Sequence, residues 1–128
     1  MTTLAQEFGF STDQMLAITS QAFDLIDAGE LNGAVDIFNG LLVLNPHDAR
    51  IQAALGSVFH QQGKLSEAMA AYDTALSIDA HTVLARVNRG ELRCKRGDLA
   101  GLEDLKIAAK IPSSVQARAQ SLVRLYAR

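Results

Sequence analysis

The sequence holds a single cysteine, Cys94, so no internal disulfide framework can form. No stretch approaches the ~20 uninterrupted apolar residues of a membrane-spanning helix, so membrane insertion is not expected. Neither sign of charge dominates: 14 acids face 12 bases for a formal net charge of -2, which argues against a general nucleic-acid binder. The N-terminal MTTLAQEFGF has no basic segment and no apolar run before a small-residue cleavage site, so no secretory signal is readable. With the lone cysteine, this points to a reducing cytoplasm. What is present is apolar, 48% of 128 residues, too much for intrinsic disorder. That length makes one compact domain or a short array of repeats, burying roughly two-thirds of the surface of the unfolded chain.

An offset of 34 residues brings Gly29, Gly63 and Gly97 into register, and with them Leu31, Leu65 and Leu99. The matched turns read AGELNGA, QGKLSEA and RGDLAGL. In the first two copies Ala22 matches Gly56, Ala34 matches Ala68, Phe38 matches Tyr72, and NPHDA from Asn45 matches DAHTV from Asp79. In the second copy Ile51, Leu55, Val58 and Phe59 follow helical spacing and leave one apolar face. Gly63 stops that helix, because glycine tolerates the left-handed backbone of a helix C-terminus. Ala68, Tyr72, Ala75 and Leu76 restore the spacing in a partner helix. Neither helix hides its face alone, so stacked neighbours must do it together.

A 34-residue period with this punctuation is the signature of tetratricopeptide (TPR) repeats, which the chain resembles. The expected fold is all-α, three helix-turn-helix repeats forming a short right-handed solenoid with a C-terminal capping helix. The expected division is an N-terminal segment 1–11, repeats at about 12–46, 47–80 and 81–112, and a cap at 113–128. Ser11 with Gln14 fits a capping box opening a helix over 12–28, and Asp48 after Pro46 caps the next. Further helices are expected near 31–44, 48–62, 65–78, 82–96 and 99–110. Pro112-Ser113-Ser114 breaks the chain, and Ser113 with Gln116 makes a second capping box before a last helix to about residue 127, faced by Val115, Ala119, Leu122, Val123 and Tyr126. In the third repeat, strict register gives Leu102 and Lys106 where Ala68 and Tyr72 stood. Sliding by one gives Gly101 and Leu105, a better apolar match, so a one-residue deletion between its helices is expected.

In TPR proteins the first helix of each pair lines a concave groove. The resemblance implies a peptide-binding lining of Leu16, Thr19, Phe23 and Ile26 in the first repeat; Arg50, Ala53, Ala54, Ser57 and His60 in the second; and Leu84, Val87, Asn88, Glu91 and Cys94 in the third. This floor, mostly apolar and small, suits an extended segment carrying apolar anchors. The alternative is that Phe23, Ile26 and Val87 are ordinary core residues. TPR co-chaperones that hold acidic heat-shock-protein tails need lysine, arginine and asparagine at set groove positions. Here those positions carry Thr19, Phe23, Ala54, Leu84 and Asn88, so that clamp is absent. Residues 22–104, with Cys94 inside GELRC ahead of the glycine turn, resemble the class II chaperones of bacterial type III secretion. That resemblance implies a chaperone holding a hydrophobic translocator segment in the groove. The chain lacks the longer N-terminal segment of such chaperones, and Leu4, Phe8 and Phe10 either replace its dimer contact or pack over the first repeat. Other readings of the same fold are a generic TPR scaffold or assembly factor, and an RNA-associated or regulatory TPR protein.

His47, His60 and His81 form no metal-ligand spacing, and neither HExxH nor CxxC occurs. No metal, cofactor or catalytic residue is expected. His60 and Cys94 occupy equivalent positions in successive repeats, too far apart on packed neighbours for a nucleophile and its base. Glu103 and Asp104 are expected on an exposed, solvated helix face. Arg86, Arg89, Arg93, Lys95 and Arg96, followed by Arg118, Arg124 and Arg128, have no interleaved aromatic residue to stack bases. They read as a solvated face or an electrostatic dock for an acidic partner. Residues 1–85 hold 10 acids and 2 bases, and residues 86–128 hold 4 acids and 10 bases. In a solenoid that becomes an acidic and a basic end, which suggests head-to-tail or antiparallel self-association.

Overall fold

A computed structural model describes residues 2–128, so of the N-terminal segment 1–11 Met1 lies outside the described residues. Among them the chain forms helices and no strands: α1 (Leu4–Glu7), α2 (Thr12–Asp27), α3 (Leu31–Leu44), α4 (Ala49–Gln61), α5 (Leu65–Ile78), α6 (Val83–Lys95), α7 (Ala100–Ala109) and α8 (Gln116–Tyr126). The helices pair as α2/α3, α4/α5 and α6/α7, each pair packs on the next, and α8 packs on α7 and touches α6. This is a solenoid with a C-terminal cap.

The repeat turns share one construction. Gly29, Gly63 and Gly97 have φ of 79°, 78° and 79°, a left-handed conformation that a side chain would strain. The residue after each glycine closes back on the helix: Glu30 N–H donates to Leu25 O, Lys64 N–H to Phe59 O and Asp98 N–H to Arg93 O, at 2.8 to 2.9 Å. These bonds satisfy carbonyls that the helix end leaves open. At the N-termini, Ser11 and Gln14 form the expected capping box, and Asp48 Oδ1 accepts from Arg50 and Ile51 N–H.

Packing is local along the stack. One core unites Ala22, Ala34 and Phe38 with Ile51, Leu55 and Val58 across the first two pairs. A second joins Ala53, Ala68, Tyr72 and Ala75 to Ala85 and Leu92, and a third gathers Val87, Leu105, Ala108 and Ala119. Phe38 and Tyr72, matched by the 34-residue offset, are both fully buried. Removing either ring would cost about 3–5 kcal/mol. In the third repeat Gly101 and Leu105 take the buried positions while Lys106 is exposed, so its packing register is one residue short.

Three expectations are corrected. Ser113 and Gln116 form no capping box. Val115 holds the cap position of α8, Ser113 Oγ accepts from Val115 N–H, and Gln116 Nε2 turns back to Ala109 O. Asp104 is not solvated but 3% exposed. Arg86, Arg89 and Arg93, spaced along one stripe of α6, converge on its carboxylate at 3.4, 2.7 and 3.0 Å. A carboxylate at the α6/α7 contact can be buried only if paired in this way. Three of the four basic residues of α6 are therefore engaged in internal ion pairing, and Arg89 also reaches Asp73 of α5 at 3.0 Å. The Asp104 and Asp73 carboxylates hold the Arg89 guanidinium above its ordinary pKa, against the effect of burial. Thr3 and Gln6 form a capping box that opens α1, and α1 contacts α3.

Candidate binding groove

The inner face of the stack carries two cavities that meet at Leu84. The larger, about 580 Å³, is floored by α2 and α4. Leu16, Thr19 and Phe23 enter it from α2 at the three- and four-residue steps that keep side chains on one helix face, and Arg50, Ala53 and Ala54 enter from α4. α1 and the turn after it close one end with Ala5, Gln6 and Phe10. The lining is more apolar than its composition suggests, because Thr19 Oγ1 donates to Met15 O at 2.8 Å within its own helix. Leu16 is 57% and Phe23 47% exposed, a high value for large apolar side chains that face a concavity. Phe23 is also anchored, its ring meeting the buried Phe38 edge-on with centroids 5.7 Å apart and planes at 72°. It is both the edge of the core and an open wall of the groove.

The smaller cavity, about 320 Å³, is richer in polar side chains. Ser57, His60 and Gln61 of α4, Tyr72 of α5, Leu84 and Asn88 of α6 and Arg118 of α8 surround it. Asn88 is 7% exposed and held at both ends of its amide: its Nδ2 donates to Ser57 Oγ and its Oδ1 accepts from Arg118, each at 2.9 Å. Ser57 donates to Ala53 O at 3.3 Å. Tyr72 Oη lies buried beside Ser57 and Asn88 but completes no hydrogen bond. An orphaned buried hydroxyl costs about 1–3 kcal/mol. Burial pushes the Tyr72 phenol above its ordinary pKa, opposed by Ser57, the Arg118 charge and Asn88.

Of the residues expected in the lining, Leu16, Thr19, Phe23, Arg50, Ala53, Ala54 and Leu84 meet around the larger cavity and Ser57, His60 and Asn88 around the smaller. Ile26, Val87, Glu91 and Cys94 line neither. Ile26 packs against the first core. Val87 is fully buried against Leu105, Ala108 and Ala119, where α8 stacks on α7 and touches α6. Glu91 is held by Arg118 at 3.2 Å and Lys95 at 3.6 Å. Cys94 packs under the same core, where burial and the nearby Asp104 and Asp98 push its thiol pKa up, away from a nucleophilic thiolate. Among the described residues no group of three or more His, Cys, Asp and Glu is placed to hold a metal ion, and no helix is long and apolar enough to cross a membrane. Repeat register did not point to Tyr72, which belongs to the second helix of its pair, or to Arg118, which lies outside the repeats.

Residues 56–97 match the TPR repeat family model. The fold is a TPR solenoid. It superimposes on SycD, a type III secretion translocator chaperone of Yersinia enterocolitica, with a TM-score of 0.86 over 98% of both chains at 23% identity. PcrH, known from Pseudomonas aeruginosa, in complex with the chaperone binding region of PopD matches with a TM-score of 0.79 at 25% identity, over 93% of this chain and 95% of that one. In sequence the chain is 28% identical over 104 residues to cellulose synthase operon protein C of Escherichia coli K12. That alignment covers 76% of this chain and 9% of the curated relative. The TPR fold, expected from the 34-residue period, and the likeness to translocator chaperones, expected from the resemblance of residues 22–104, stand on these matches.

Proposed function

We propose that the protein is a non-enzymatic, cytoplasmic TPR chaperone that holds an extended segment of a hydrophobic secretion substrate, of the type III translocator class, in the larger cavity. The half-exposed Leu16 and Phe23, set in a concavity of about 580 Å³, carry this reading. A cavity of that size with apolar walls takes large side chains of an incoming segment, and burial supplies the affinity. The match to PcrH, whose structure contains the chaperone binding region of PopD, supports the same occupant class. Leu16, Thr19, Phe23, Ala53, Ala54 and Leu84 contact its apolar anchors. The opposite charge of the two halves of the chain supports a homodimer within the same reading, and a salt-independent monomer in sedimentation at high concentration excludes it.

Co-expression with a translocator-like protein encoded beside this chain tests the reading. The partner is expected to be soluble only with the wild-type chain, and Phe23→Glu or Leu16→Glu to abolish the rescue. Partner solubility indifferent to both changes overturns it. A generic TPR scaffold is the second reading, favoured by the alignment to a small part of a much longer relative, and it predicts that indifference.

A further inference from the structure

The two ends of the solenoid carry opposite charge that the chain itself does not answer. The first 49 residues hold seven acids and no lysine or arginine, so α1, α2 and α3 supply no such cation to pair with them. Asp24 lies half a turn from the buried Ala22, and Asp36 midway between the buried Ala34 and Phe38, so both are directed away from the core. Both are exposed, and among the described residues neither has an ion-pair partner. At the other end, residues 100–128 hold five bases and two acids. Asp104 is taken by the arginines of α6 and Arg118 by Glu91, which leaves Lys106, Lys110, Arg124 and Arg128 exposed beside the single acid Glu103. None of those four bases has an ion-pair partner among the described residues. Ile107, 39% exposed, shares the stripe of Lys106 and Lys110, and Leu125, 54% exposed, adjoins Arg124. Phe8, 68% exposed, is the apolar counterpart at the acidic end. α1 and α2 pack on α3, which packs on α4, whereas α7 and α8 pack on each other and on α6. One chain therefore cannot bring its two ends together.

We propose that the acidic end of one copy, centred on Asp24 and Asp36, docks the basic end of the next, centred on Lys110 and Arg124. The two faces differ, so the contact is heterologous: every docking leaves one acidic and one basic end free, and copies add in open chains instead of closing as a pair. Opposite charge sets the orientation, while Phe8, Ile107 and Leu125 withdraw apolar surface from water. This arrangement rests on the self-association read above from the two charge halves. It uses the ends of the stack rather than its inner face.

Sedimentation equilibrium over a concentration series tests it, with circular dichroism melting to show that every variant is folded. The weight-average mass of the wild type is expected to rise with concentration past twice the 13.8 kDa of one chain at about 0.01 M salt, where the Debye length is about 30 Å, and to fall toward one chain at about 1 M, where it is about 3 Å. Asp24→Lys with Asp36→Lys, and separately Lys110→Glu with Arg124→Glu, give a chain two ends of like charge, and each pair is expected to weaken association roughly ten-fold or more. Mixed in equal amounts the two variants regain it, because every junction again joins opposite charges. A wild-type mass that levels at two chains overturns the open arrangement and leaves a closed homodimer standing. A salt-independent monomer overturns both. Association that neither double substitution weakens overturns the assignment of these ends. None of the four substituted residues lines the groove, so rescue of a co-expressed partner is expected to survive both double substitutions, and its loss in the groove variants bears on the chaperone reading alone.

Discussion

Gly101 of α7 lies directly against the backbone of Gly90 of α6. A Cβ at Gly101 would fall 2.5 Å from Gly90 O and 2.8 Å from both Arg93 Cβ and Cys94 N. Two of those three atoms are helix backbone and cannot swing aside. Gly101→Ala is therefore expected to destabilise the protein by about 1–3 kcal/mol, at the α6/α7 contact. Gly40→Ala is its control, because Gly40 sits inside α3 with nothing within 4 Å of the added carbon. There alanine is expected to stabilise by about 0.5–1 kcal/mol. Paired urea melts giving the same sign for both substitutions would refute this account.

The close approach at Gly101 also explains why Asp104, one turn further along α7, meets three arginines of α6. Replacing the carboxylate leaves Arg86, Arg89 and Arg93 as neighbouring cations at 15, 16 and 25% side-chain exposure. Asp104→Ala is expected to lose about 3 kcal/mol or more, since breaking a buried pair strands the surviving charges. Glu103→Ala, a change at the exposed neighbour in sequence, is expected to stay within about 0.5 kcal/mol. Equal melting temperatures for the two variants would show that the arginines find other partners.

Helix capping gives a third contrast. Ser11 closes a reciprocal box with Gln14 at 2.8 and 3.1 Å. Ser113 has the same sequence spacing to Gln116 and makes none. Ser11→Ala is expected to cost about 1 kcal/mol and Ser113→Ala much less, read by thermal unfolding.

Those two serines show where reading the sequence succeeds and where it stops. The 34-residue period carries the helix pairs, the glycine turns and the Phe38 and Tyr72 core positions, because each repeat packs in the same way on its neighbour. The period says nothing about α8, which follows the last repeat. The entry of Arg118 into the groove was therefore not legible, whereas the packing of Ile26 and Val87 into the core was the alternative that the sequence left open. α1 was legible by the rule that located α2, since Thr3 and Gln6 have the spacing of Ser11 and Gln14, but four residues show no apolar periodicity. Asp104 had a signal too. Arg86, Arg89 and Arg93 fall on one stripe of α6, and a stripe of cations on a helix packed on both sides calls for a buried acid.

Tyr72 combines a well-packed ring with an unpartnered buried hydroxyl, and the two act on stability with opposite signs. Its ring fills the second core, and a Cβ at Gly56 would lie 2.5 Å from Tyr72 Cε1, so the ring has no freedom to carry its hydroxyl to a better partner. Tyr72→Phe keeps the ring and removes the orphaned oxygen, so it is expected to be neutral or stabilising by up to about 1 kcal/mol. The folded-state pKa of the phenol is raised from its ordinary 10.0, chiefly by burial. The folded state thus holds that proton more tightly than the unfolded chain. Stability is unaffected below about pH 10 and declines as the pH rises beyond it. Phenylalanine removes the group that titrates, so the variant is expected to lose less stability than wild type between pH 9 and the alkaline unfolding limit, measured by urea melts across that range. Parallel loss in both proteins would mean that Tyr72 is ionised in the folded state as easily as in water, which its burial forbids.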